Sequence, residues 1–184
     1  AVRSPRRIFL AKVSASLTVI VVLVICLVGS SIVGGLAGIG NHPLVGLDGH
    51  TLAASDAART VLLAWLCVLA PTLAFAAIGV LGSALLGRSP MGLLVPAVLA
   101  LAMNLVLMVP VPLVVRLALP SNAFLTWRGL FTDPASTGPL WIGILVSLVW
   151  AAVATGIAYL LFRRRHFAEL SNDGAGRRAV TAAV

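Results

Sequence analysis

Side chains able to do acid, base or nucleophilic chemistry are few in this chain, and they stand away from its long apolar stretches. The three histidines, His42, His50 and His166, and all five acids, Asp48, Asp56, Asp133, Glu169 and Asp173, fall outside those stretches. A serine hydrolase at membrane depth therefore has no base, and no clustered histidines and carboxylates offer metal ligands. Intramembrane carboxylates are the usual carriers of protons or sodium, so their absence disfavours an ion-coupled carrier. No GxxxxGK[ST] phosphate loop is present, so ATP has no site here. Cys26 and Cys67 lie within apolar stretches and read as small buried hydrophobes. The expectation is a protein that is not an enzyme and holds no cofactor or metal of its own. What remains for recognition is a set of arginines and one side-chain amide at depth, Asn104.

The stretches themselves cover residues 9–33, 60–86, 91–110 (or as far as 119) and 140–162. Each holds roughly 20 or more residues, which at about 1.5 Å per residue crosses a hydrocarbon core of about 30 Å. With no water to satisfy backbone groups at that depth they must be helices, and they lack the two-residue alternation of a barrel. The predicted fold is all-α, a polytopic membrane bundle with four transmembrane helices. The first stretch is too long for a signal peptide and lacks a convincing small-residue cleavage site before His42. Ser4-Pro5 suits the start of a short helix on the inner membrane surface, leading into the first span. The brief Gly87-Arg88-Ser89-Pro90 turn makes the second and third helices antiparallel neighbours. Pro96 lies within the first turns of the third and Pro110-Val111-Pro112 interrupts it toward the outer face, so a separate outer reentrant segment of short helices is expected over 113–137. Trp127 and Trp141 suit an aromatic belt. Residues 1–168 form the transmembrane domain and 169–184 a cytoplasmic tail with little order. The start at Ala1 without methionine suggests that residues precede it.

Thirteen Lys and Arg oppose five acids, for a net charge of +8. Arg3, Arg6, Arg7, Lys12, Arg88, Arg163, Arg164, Arg165, Arg177 and Arg178 fall on one side of the four-span topology, and Arg59, Arg116 and Arg128 on the other. Lysine and arginine near helix ends resist translocation, so both termini are predicted to be cytoplasmic, in the cell inner membrane. The basic charge thus reports topology and contact with anionic headgroups. Nucleic acid is not an expected partner, since no soluble module is visible.

Two motifs carry a resemblance. Ser4-Pro5-Arg6-Arg7-Ile8-Phe9-Leu10-Ala11-Lys12 looks like the "SPxxRRxxLLAK" segment that introduces the third membrane helix of ABC-2 type permeases, the transmembrane subunits of ATP-binding-cassette exporters. Tyr159-Leu160-Leu161-Phe162-Arg163-Arg164-Arg165-His166-Phe167 resembles the "LxxFRRRD(I/F)" close of that family's last helix, with His166 where Asp is more common. The helix order between them also agrees. The resemblance covers essentially the whole chain as the last four of the family's six helices, the first two lying upstream of Ala1.

That resemblance implies a half-transporter moving a hydrophobic or amphipathic compound. Its partners would be a nucleotide-binding ATPase subunit, which holds ATP and Mg, and a second permease subunit, identical or different. The inner-surface helix implies ATPase coupling through Ser4, Arg6, Arg7 and Phe9, with Arg88 secondary. Arg163, Arg164 and Arg165 read as an inner anchor to membrane lipids. The third span implies a path lined by Met103, Asn104 and Met108, because thioethers adapt to apolar shapes and Asn104 adds a donor and an acceptor. The plainer alternatives are lipid-phosphate anchoring for the arginines, an interhelical hydrogen bond for Asn104, and packing for the methionines. At the level of the whole chain, the alternative is a four-helix scaffold or regulatory protein that transports nothing.

Overall fold

Long unbroken apolar sequence produces long helices. The computed structural model describes residues 5–38, 40, 42–86 and 91–182, with side chains described for 7, 9–38, 40, 42–86 and 92–164. Its elements are α1 (Pro5–Gly38), β1 (Leu44–Val45), β2 (Thr51–Leu52), α2 (Ala54–Leu86), α3 (Met91–Met108), α4 (Leu113–Ala118), α5 (Pro120–Ala123), a 3-10 helix (Thr126–Phe131) and α6 (Gly138–Ala182). Three helices are long and apolar enough to cross a membrane: Phe9–Gly38, Ala54–Leu86 and Gly138–Arg164, of 30, 33 and 27 residues. The protein is mostly helical and has the helices of a membrane protein. Four crossings are expected from the sequence, but α3 ends at Met108 after 18 residues. At about 1.5 Å per residue it is just short of a full hydrocarbon core. The prolines at 110 and 112 cannot continue it.

Other boundaries also move. Among the described residues no separate surface helix precedes the first span: α1 is continuous from Pro5 and runs on through the glycine-rich stretch to Gly38. The loop after it forms a two-stranded antiparallel hairpin, Leu44 opposite Leu52, which is not among the sequence-based expectations. The tail expected to carry little order continues α6 as far as Ala182, since no proline follows Pro139 to stop it.

α2 is the centre of the bundle, packed against α6, α3 and α1. Ala77 and Ile78 of α2 and Ala154 of α6 are buried together, bordered by Phe75, Leu81, Val95, Leu99, Trp150 and Ala151. Small residues let α2 and α3 approach closely. A Cβ on Gly79 would lie 2.5 Å from the Gly92 carbonyl oxygen, and one on Gly92 would lie 2.5 Å from Ser83 Oγ. Pro71, inside α2, is fully buried within this packing.

Between α3 and α6 the chain folds back into the bundle and out again. Arg116 on α4 donates to the Leu107 carbonyl of α3 at 3.3 Å, and Trp150 Nε1 of α6 donates to the Ala118 carbonyl at 3.0 Å. At the turning point, the Ser121 hydroxyl donates to Met103 Sδ at 3.6 Å, and Phe124 stacks on Phe75 with ring centroids 5.9 Å apart. The 3-10 helix then returns to the hairpin, where the Phe131 carbonyl accepts from Leu47 N–H at 2.9 Å.

α1 lies on the outside. Its Val22, Leu23, Ile25, Leu27 and Val33 are all exposed. Cys26 is exposed with them and Cys67 is half-buried, which corrects the expectation of two buried thiols. Apolar exposure on this scale calls for lipid or partner helices around it.

Candidate functional site

The residues picked from the sequence fall at two places, the end where α1 begins and the middle of α3. At the first, Phe9 is only 7% exposed. Its ring meets Tyr159 edge-on at 5.4 Å and Phe162 at 5.9 Å, so the start of α1 is fastened to α6 where the apolar part of α6 gives way to arginines. Lys12 Nζ stands 5.9 Å from the centre of the Phe162 ring, a cation–π distance. Antiparallel packing thereby brings Arg7 and Lys12 to the same end as Arg163 and Arg164, about 150 residues away in sequence. Arg7, Arg163 and Arg164 are exposed. Such an end suits phosphate groups or an acidic protein rim. Phe9, by contrast, is closed into the protein and acts as the fastener rather than as a contact surface. Ser4 and Arg88 lie outside the described residues, as do the side chains of Arg6 and Arg165.

In α3 the three proposed lining residues divide. Met103 is buried against α5, holding the Ser121 hydroxyl. Asn104 and Met108, one turn apart, share the exposed face with Leu101 and Leu105, and Met108 is 82% exposed. Asn104 Nδ2 donates to Ala100 O within its own helix at 2.8 Å, and it makes no interhelical bond among the described residues. The structure therefore groups Asn104 with Met108 and separates Met103 from both.

A third place was missed by sequence reasoning. Asp48, in the hairpin turn, accepts from the Asp133 N–H at 2.6 Å, from the His50 N–H at 3.2 Å and from the His50 ring. The His50 ring, the Asp133 N–H and the His50 N–H together hold the Asp48 carboxyl well below the usual carboxylate range. Gly46 makes this docking possible, since a Cβ there would lie 2.8 Å from the Phe131 carbonyl oxygen. The Asp48-Gly49 pair was the available signal, because such pairs mark tight turns between strands. Its partner, 85 residues away, carries no pattern of its own.

Among the described residues no group of three or more His, Cys, Asp or Glu side chains could hold a metal ion. No protein-family model, no curated protein and no solved structure matches this chain.

Proposed function

We propose that this chain is the membrane-spanning permease subunit of an ABC exporter, moving a hydrophobic or amphipathic compound with ATP hydrolysed by a separate subunit. The observation that carries the reading is the segment over Pro112–Asp133, which folds into the bundle and back between α3 and the last long helix. It has the order and shape that the resemblance to ABC-2 permeases implies for an outer reentrant segment. In this reading α3 is the third of four crossings, completed by its proline turn, and the termini are cytoplasmic.

The coupling step follows from the fastened end. A force on Arg6, Arg7 or the preceding residues moves α1, and the Phe9 contacts with Tyr159 and Phe162 pass that motion to α6. Arg163 and Arg164 add cations at the same end, and the charge sorting of the sequence would put Arg88 and Arg165 on that side as well. The exposed face bearing Asn104 and Met108 would meet a second permease copy, and the transported compound would pass between the two. Met103 serves instead to hold the reentrant segment.

Purification of the natural protein in mild detergent tests this, with identification of copurifying chains and an ATPase assay. Recovery of a soluble nucleotide-binding subunit with vanadate-sensitive hydrolysis is the expected outcome. A second reading, a membrane scaffold that transports nothing, draws on the exposed apolar length of α1, which suits partner helices. Recovery of membrane partners without an ATPase would put that reading first.

A further inference from the structure

Between α2 and the 3-10 helix lies a cleft of about 470 Å³, lined by Val61, Ala64, Trp65, Val68, Phe124, Trp127 and Phe131. That volume is in the range of small-ligand sites, and every lining side chain is apolar or aromatic. The α2 residues follow the i, i+3, i+4, i+7 spacing of one helical stripe, so the wall is continuous along two turns. Water is a poor occupant, because the cleft offers it few polar partners. The medium that three membrane-length helices require does contain a suitable occupant, the acyl chain of a lipid.

The head of that lipid is indicated by Arg128. In a 3-10 helix the side chains at i and i+3 eclipse, which puts Arg128 on the face of Phe131, roughly 6 Å below it along the helix. It is exposed, so the guanidinium is open to a ligand, and it has no partner among the described residues. The indole N–H groups of Trp65 and Trp127 likewise have no acceptor among the described residues, whereas that of Trp150 does. Phe131 itself sits at the hairpin end, under Leu47. An exposed cation and two indole donors, none with a partner among the described residues, therefore lie on the two elements that wall an apolar slot.

We propose that this cleft binds one anionic phospholipid, an acyl chain between α2 and the 3-10 helix and the phosphate on Arg128. The lipid fills the gap beneath the returning segment and ties it to α2. Binding of this kind involves neither ATP nor transport, so the proposal stands or falls separately from the permease reading.

The test uses the purified protein, stripped of lipid by detergent washing and offered dioleoylphosphatidylglycerol or dioleoylphosphatidylcholine at equal concentration, with retained lipid counted by native mass spectrometry. One lipid per chain is expected, with the anionic lipid preferred about five-fold: both lipids carry a phosphate, but only phosphatidylglycerol has a net negative headgroup for one arginine to favour. Arg128→Gln should abolish the preference and Arg128→Lys should keep it. Val68→Phe, which fills the slot, should lower retention of both lipids while the helical circular dichroism is unchanged. Equal retention of the two lipids by the wild type, no retained lipid, or an unaltered preference in Arg128→Gln overturns the proposal. Because Arg128→Gln leaves the slot intact, its result does not depend on the fold of the Val68 variant.

Discussion

The Arg116 guanidinium caps the end of α3 by donating to the Leu107 carbonyl, 3.3 Å away, across the proline turn that separates the two helices. The last four carbonyls of a helix have no partner within it, and Leu107 lies in that last turn. One side chain thus satisfies a helix end and sets the direction in which α4 departs.

Arg116→Gln should loosen α4 from α3. The residue is exposed, so the loss of global stability is expected to be about 1 kcal/mol or less. Amide hydrogen exchange over 113–118 should rise several-fold more than exchange in α2, and uniform protection would contradict the capping role.

The contact between Ser121 and Met103 separates packing from surface. Met103→Ala should cost about 2–5 kcal/mol, since both side chains are buried and a cavity would open. Ser121→Ala should cost less than about 1 kcal/mol, thioether sulfur being a weak acceptor. Asn104→Ala, on the exposed face, should leave the thermal midpoint within a degree or two of wild type while changing the substrate profile in a transport assay. A large drop in the midpoint would assign Asn104 to packing.

Gly79 and Gly92 differ in what an added methyl would meet. The Cβ of Gly79→Ala runs into the backbone of α3, whereas that of Gly92→Ala meets a serine hydroxyl that can rotate away. Gly79→Ala should therefore be the worse by about 1–3 kcal/mol, read from thermal or denaturant midpoints. Equal effects would mean that the two helices shift apart freely.

Docking of the hairpin should resist acid. The Asp48 carboxyl is held below its unfolded value, so its contribution is fully present above about pH 4 and is lost only as the pH falls through the depressed folded value. Exchange protection of the Asp133 and Leu47 amides should persist from pH 7 down to 4 in the wild type and be reduced throughout that range in Asp48→Asn. A wild-type loss of protection between pH 6 and 5 would contradict the assignment to Asp48.

Charge reversal at Arg6 and Arg7 tests coupling. Replacing both with Glu should abolish coupling to the proposed ATPase subunit while leaving the protein inserted, whereas pure lipid anchors would give a topology defect instead. Phe9→Ala should reduce coupling too, with a stability loss of about 3–5 kcal/mol from its buried site.

The long helices were legible because their signal is local: an uninterrupted apolar run needs no knowledge of its neighbours to be read. The proline turn after Met108 and the short helices beyond it were legible for the same reason. The helix ends were less so. Gly29, Gly34, Gly35 and Gly38 read as the end of the first span, yet α1 passes through all of them, because a run of spaced glycines weakens a helix without removing any hydrogen bond. The short hairpin was missed because two residues per strand give no alternation to detect.

For the sites, the resemblance to ABC-2 permeases selected Phe9 as a coupling residue and Met103, Asn104 and Met108 as one lining set. The sequence by itself determined the helical class, the lack of acids at depth and the sorting of basic charge to particular helix ends, since each follows from residue type and one-dimensional order. Only the tertiary structure decided that Phe9 is a fastener on α6, that Met103 faces inward, that Asp48 grips Asp133 and that Trp65 and Trp127 share a cleft. Those facts depend on pairs of residues far apart in the chain. Their contacts are fixed by how apolar faces and small residues fit when α2, α3 and α6 pack, and no local pattern encodes that fit.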